Sequence, residues 1–285
     1  GYFGVAMATA YLDGFQSVPK RIPTGYFVFN AENVDDADAA KFIYSSAGGD
    51  PAARYDSSYI LGFVPGVNPD PFYITMSRGV NAAAARYGIQ VVQQDPEQFN
   101  VQFSVPIVEA LIARGDISSL VTAPNDKEQS IPVLQRASEA GIPVLTVDTF
   151  IGDGDYAAGP VQFPLSYVGS DNTQGGYIAC SALADALGEG AKIYIQNVRP
   201  GISTTDQRED GCEAAAADRG LEVVRIDYNE NDANNAQQQT AAVLQANPDI
   251  VGMFATNTFG ALGAGAAIEA AGLAGSVQVA LFDAS

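Results

Sequence analysis

Short apolar runs alternate along most of the chain with longer stretches whose apolar residues recur at helical spacing. Residues 59–64 (YILGFV) form a run of the buried-strand kind, and residues 67–71 carry turn residues. Residues 72–87 have apolar positions at helical spacing, Gly88 stands where that helix would stop, and residues 89–92 make the next strand. A strand–helix–strand unit of this kind needs a parallel sheet with helices on its faces. The alternation continues with a helix over 99–113, where Pro106 either kinks the helix or marks its true start after Ser104. A strand at 119–123 follows, then Asn125 and Asp126 as cap candidates for a helix over 127–140, then a strand at 144–147. Residues 150–165 are irregular and Gly-rich. Strands are predicted at 167–169, 192–198, 222–228, 250–255 and 278–282. The helices between them cover 174–187, 206–219, a stretch ending near 246 and a small-residue stretch ending near 271. The pattern predicts an α/β chain made of two doubly wound, parallel-sheet lobes.

The opening differs from the rest. Residues 1–17 read as a helix with no strand before it, a Pro-punctuated segment runs into a strand at 26–29, and 30–44 hold a short helix. Residues 45–58 are small, polar and Gly/Pro-containing, as in a linker.

The 285 residues are 47% apolar and 16% charged, which fits a folded globular chain and excludes a disordered one. The net charge of −19 argues against nucleic acid and anionic membrane surfaces as partners, since both require basic patches. The absence of histidine removes the commonest general base and metal ligand. Cys180 and Cys212 are too few for a thiolate zinc site; they form either one disulfide or two small buried apolar positions on different helices. No metal, cofactor or catalytic residue is expected. No run reaches membrane-spanning length and no signal peptide is present, so the chain is expected to be cytoplasmic or already trimmed.

Polar residues recur just past predicted strand ends: Asp70, Asp148, Asn257 and Asp283, with Arg208 at a helix start and Phe72 and Tyr73 beside Asp70. In open parallel sheets, ligands bind outside the carboxyl ends of the strands. Carboxylates accept hydroxyl protons, Arg and Asn donate to hydroxyl or ring oxygens, and aromatic rings cover an apolar C–H face. Such a set suits a neutral, heavily hydroxylated molecule. Gly263-Ala264-Gly265 is no dinucleotide fingerprint, and its small residues are expected to bring a helix close to the sheet. No phosphate loop, nucleophile elbow or calcium loop is present.

The loop Asp70-Pro71-Phe72-Tyr73 before an Ala-rich helix resembles the first unit of the ribose-type periplasmic sugar-binding proteins of ABC importers. Further matches are Ser170-Asp171-Asn172 with Gly175-Gly176, Asp148 after the fourth strand, and Arg208 in Arg208-Glu209-Asp210-Gly211-Cys212. Asn257 in FATN and Asp283 in LFDA complete the set. The resemblance implies the type I binding-protein fold, two lobes joined by hinge crossovers, which close on a monosaccharide or polyol. It implies a monomer delivering that ligand to a membrane permease, located in the periplasm or lipid-anchored outside the cell. The implied ligand residues are Asp70, Phe72, Tyr73, Asp148, Thr149, Asp206, Arg208, Asn257 and Asp283. Phe72, Asp148, Arg208, Asn257 and Asp283 are expected to line one cleft. Three departures count against ribose itself. Thr149 replaces an arginine, no aromatic is evident after the seventh strand (Asn231 lies nearest), and Asp70 replaces an asparagine. Asp206 and Gln207 resemble a pair found in relatives that bind autoinducer-2.

Residues 1–44 resemble the family's C-terminal segment, so the chain looks circularly permuted. One lobe is then 1–18 with 59–167 and the other 19–44 with 168–285, with 45–58 joining the family's old termini. A helix, strand and hinge residue that the family carries between its LFDA-type strand end and its GYFGV-type helix are missing from this order. A contiguous window of a tandem or fusion protein is the other explanation. The rival functions are a signal-sensing protein of the autoinducer-2 kind, an engineered permuted sensor scaffold, a ligand-sensing transcription regulator and a sugar-modifying enzyme. The regulator would need a DNA-binding helix pair, and the enzyme a base, metal set or nucleophile.

Overall fold

Ten strands and eight helices alternate through the described residues of a computed structural model, which are 1–30, 32–36 and 57–283. They fall into two units: the described residues of Gly1–Gly25 and Ile43–Ser170, and those of Tyr26–Phe42 and Asp171–Ser285.

The first unit contains α1 (Tyr2–Leu12), β1 (Arg21–Pro23), β2 (Ile60–Val64), α2 (Pro71–Tyr87), β3 (Gln90–Gln93), α3 (Val101–Arg114) and β4 (Ser119–Thr122). It continues with α4 (Ile131–Glu139), β5 (Val144–Val147) and β6 (Ser166–Gly169). Its strands form one parallel sheet in the order β1-β6-β5-β4-β2-β3. Alternate strand residues enter two different cores. Leu61, Phe63, Val121, Leu145 and Val147 pack with Val5 and Ala8 of α1 and Val80 and Ala83 of α2. Val64, Leu120 and Val144 pack with Val108 and Leu111 of α3 and Val133 and Leu134 of α4. Both faces are therefore covered, and every residue of β4 and β5 is buried.

The second unit contains α5 (Asn172–Leu187), β7 (Lys192–Asn197), α6 (Ser203–Arg219), β8 (Glu222–Tyr228), α7 (Ala233–Ala246), β9 (Ile250–Ala255), α8 (Thr258–Ala270) and β10 (Gln278–Leu281). Its strands are parallel in the order β10-β9-β7-β8. Ile193, Ile195 and Phe254 face α5 and α6, whereas Tyr194 and Met253 face α7 and α8.

Several expectations change. No strand forms at 26–29; the strand of this region is β1, which pairs with β6 inside the first unit. Lys20 and Arg21 fasten it there through Pro164 O (2.9 Å) and Ser170 O (2.8 Å), and the Arg21 guanidinium lies 4.1 Å over the Tyr167 ring. The unit boundary accordingly falls after Gly25, not after residue 18. Helix α1 ends at Leu12. Pro106 lies inside α3, which starts at Val101 with Asn100 as its cap. Asp126 accepts from the N–H groups of Glu128 and Gln129 and caps a turn; α4 begins only at Ile131, where Pro132 suits a first turn. Gly263 brings α8 against α7 rather than the sheet, since a Cβ there would meet Ala233 O at 2.3 Å. Cys180 and Cys212 are joined in a disulfide between α5 and α6. Most of the predicted 30–44 helix and the 45–58 linker lie outside the described residues.

Candidate functional site

In each sheet the chain leaves one strand, β2 or β7, to one side and returns on the other. That switch point lies between β2 and β4 in the first unit and between β7 and β9 in the second. Loops at the carboxyl ends of such strands splay apart and leave a crevice.

In the first unit, the loops after β2 and β4 are tied by Asn125, whose Nδ2 donates to Gly66 O at 2.8 Å. Asp70 caps α2 by accepting from Phe72 N at 2.8 Å, so the capping bond sets the direction in which Phe72 and Tyr73 leave the loop. Tyr73 is buried, and its hydroxyl donates to Asp148 Oδ2 at 2.7 Å. Gly66 is required beside it, because a Cβ there would sit 2.2 Å from the Tyr73 hydroxyl. Asp148 follows β5 in the left-handed region, at φ 64°. Its backbone is held on both sides: its N–H donates to Val168 O (2.9 Å), and its carbonyl accepts from the Tyr167 hydroxyl (2.6 Å). Asp tolerates this conformation better than most residues, at a cost of about 1–2 kcal/mol. Thr149 is fully buried, and its hydroxyl meets no hydrogen-bond partner among the described residues. Asp70, Phe72, Tyr73, Asp148 and Thr149 thus belong to one sheet end.

In the second unit, Arg208 is the centre. It is 5% exposed, on the second turn of α6. Its Nε donates to Asn172 Oδ1 (2.9 Å), and its Nη1 donates to Thr256 O (2.8 Å) and Asp283 Oδ2 (3.4 Å). The Phe282 ring lies 3.6 Å from the guanidinium carbon. Three of five N–H groups are thereby fixed, and those of Nη2 remain. Close helix packing delivers Arg208 to this place: a Cβ on Gly176 would lie 2.1 Å from Arg208 O, and one on Gly211 would lie 2.0 Å from Thr173 O. Asn257 caps α8 through Gly260 N (3.0 Å), and its Nδ2 donates to Asn231 Oδ1 (2.6 Å). Asp206 accepts from Gly201 N at 3.1 Å and braces the loop after β7. Arg208, Asn257, Asp283 and Asp206 thus share the other sheet end.

Sequence reasoning passed over the second layer. Asn172 orients Arg208. Asn197 donates to Glu209 Oε2 (2.5 Å) and accepts from the Thr256 hydroxyl (2.9 Å). Burial pushes the Glu209 carboxyl above its ordinary value, and the Asn197 N–H offsets this only in part. The available signal was Gln196-Asn197, two polar residues that follow the apolar Ile193-Tyr194-Ile195 of β7. Among the described residues, no group of three or more His, Cys, Asp or Glu side chains is placed to hold a metal ion. None of the described helices is long and apolar enough to cross a membrane.

Residues 61–285 match the profile of the family described as periplasmic binding protein domain. The ribose import binding protein of Bacillus subtilis is 30% identical over 214 residues, which cover 75% of this chain and 67% of that protein. A D-ribose/D-allose-binding protein of Pseudomonas aeruginosa is also 30% identical, covering 74% and 66%. The matches span about two thirds of these curated relatives' length. Among solved structures, an ABC transporter solute-binding protein from Agrobacterium vitis with bound α-D-tagatopyranose is 44% identical, with a TM-score of 0.75. That alignment covers 78% of this chain and 76% of the other. A periplasmic solute-binding protein from Actinobacillus succinogenes with bound D-allose is 32% identical, with a TM-score of 0.69 and coverage of 78% and 77%. With the family profile covering most of its length and the two sheet ends built as described, the chain belongs to the periplasmic binding protein domain family.

Proposed function

We propose that the chain is the sugar-binding component of an ABC importer and that it holds a monosaccharide or polyol without chemical change. The observation that carries this is Arg208, a buried guanidinium locked by Asn172, Thr256 and Asp283 with Nη2 to spare. A fixed, desolvated donor of this kind suits hydroxyl and ring oxygens. In the first unit, the Asp148 carboxylate is an acceptor for hydroxyl protons, and Phe72 and Tyr73 offer apolar faces. Tagatose and allose in the similar structures, and ribose or allose in the names of the relatives, support the monosaccharide class. The partners are then that sugar and a membrane permease, and the protein works as a monomer outside the cytoplasmic membrane.

The rotated chain order belongs to the same proposal. The family match starts at residue 61, yet α1 packs in the core of the first unit and β1 extends its sheet. The test of function is calorimetry with D-ribose, D-allose, D-tagatose, D-arabinose and ribitol. One of these should bind, and Arg208→Met should weaken it by about a hundredfold, as loss of a charged hydrogen bond does. Equal affinity in Arg208→Met, or no binding of any panel member by the wild type, refutes the proposal.

A further inference from the structure

Two chains of hydrogen bonds with fixed polarity meet at Asn231. The first starts at the Asp227 carboxylate, which can only accept. Burial, with the Asp227 charge beside it, raises the Tyr194 pKa, so the phenol keeps its proton and donates to Asp227 Oδ2 at 3.1 Å. Tyr194 must then accept, and Gln196 Nε2 donates to it at 2.5 Å. That orientation turns Gln196 Oε1 toward Asn229 Nδ2 (2.8 Å), and Asn229 Oδ1 in turn accepts from Asn231 N (2.9 Å). The second chain starts at Gly260 N, which can only donate. Asn257 Oδ1 accepts from it, so Asn257 Nδ2 faces Asn231, and the atom of Asn231 it meets must be Oδ1. The second chain thereby fixes the amide orientation of Asn231, and the first holds its backbone N–H.

What remains is Asn231 Nδ2, with two N–H groups that meet no acceptor among the described residues. The side chain is half-buried at the carboxyl end of β8. The backbone there is unusual: Glu230 and Asn231 both adopt left-handed conformations, at φ 57° and 60°. Two such residues in a row cost about 1–2 kcal/mol each and are kept only where surrounding bonds impose them. Asn197 O and Val198 O impose them here by accepting from Asn229 N and Glu230 N, each at 2.9 Å.

Resting on the sugar-binding reading above, we propose that Asn231 is a specificity-determining ligand residue that offers only donors. With Arg208 Nη2 and the second N–H of Asn257, it makes a set of three donor groups at the sheet end that also carries the Asp283 carboxylate. The ligand must present lone-pair oxygens to these donors and its hydroxyl protons to carboxylates. Sugars lacking the oxygen that meets Asn231 are rejected, because these N–H groups would then lose their water without a partner.

The test is calorimetry with the sugar the wild type binds and with its series of monodeoxy analogues, on the wild type, Asn231→Asp and Asn231→Gly. Aspartate tolerates the left-handed backbone and still accepts from Asn257, but it cannot donate; glycine keeps the backbone alone. Both variants should keep the sugar-free melting temperature and lose about tenfold or more in affinity for the parent sugar. For one deoxy analogue, wild type and Asn231→Gly should bind equally, since the contact is absent in both. Undiminished affinity for the parent sugar in both variants, or equal losses for every analogue, overturns the inference while leaving sugar binding intact. A wild type that binds none of the panel overturns both.

Discussion

Gly176→Ala is expected to disturb the proposed sugar site without touching any ligand. The added methyl would sit 2.1 Å from Arg208 O, where carbon–oxygen contacts settle at about 3.3 Å, so α5 and α6 must separate locally by about 1.2 Å. The helices cannot simply slide apart. The Cys180–Cys212 disulfide joins them one turn further on, and Gly211 already lies against Thr173 O. Overpacking of this kind costs about 1–3 kcal/mol, and for a unit of this size that lowers the melting temperature by roughly 3–12 °C. Displacing the Arg208 backbone also strains its bonds to Asn172 and Thr256, so sugar affinity should fall by about tenfold, one hydrogen bond's worth. Thermal unfolding monitored by circular dichroism, with calorimetry on the same preparations, measures both effects. Gly265→Ala is the control: nothing lies within 4 Å of the new methyl, and a mid-helix Gly→Ala change should be neutral or stabilise by up to about 1 kcal/mol. A Gly176→Ala protein with unchanged melting temperature and affinity would refute the view that close glycine packing sets the position of Arg208.

Replacing both cysteines by alanine opens a loop of sequence separation 32 and should lower stability by about 3–4 kcal/mol on the chain-entropy account; a loss below about 1 kcal/mol in denaturant unfolding would contradict it. Glu209 supplies a pH test. Its folded pKa is raised above the ordinary 4.5, so the folded state holds the proton more tightly, and stability falls as pH rises from the unfolded value through the folded one. Glu209→Gln removes that loss while its carbonyl still accepts from Asn197, so the variant should be the more stable at pH 7. Its advantage should vanish below pH about 4. An advantage that does not change with pH would show that charge burial is not the cause.

The strand–helix alternation was legible because burial on both faces leaves a signature in composition: β2 is wholly without polar side chains, and β4 and β5 carry only small hydroxyl residues beside their apolar ones. Asp70 lies one residue before the helix it starts, and that capping bond is local in sequence; Asn100, inside the predicted 99–113 helix, is instead the cap of α3. The same locality made Asp148, Asn257 and Asp283 stand out, each just past a strand. Residues 26–29 misled, because an apolar run fits a strand but pairing needs a free sheet edge. The residues that found one were Arg21–Pro23, beside β6. Whether Cys180 and Cys212 meet depends on how closely α5 and α6 pack, which Gly176 and Gly211 permit and sequence spacing does not express. Arg208 looks in the sequence like any helix-start arginine. Only the fold brings Asn172, Thr256 and Asp283 to it, from positions 36, 48 and 75 residues away. The sequence alone determined the elements, their class and the residue types at the strand ends, because those follow from periodicity and local hydrogen bonding. Tertiary structure decided which polar groups are already satisfied and which remain free, because that depends on partners distant in the chain.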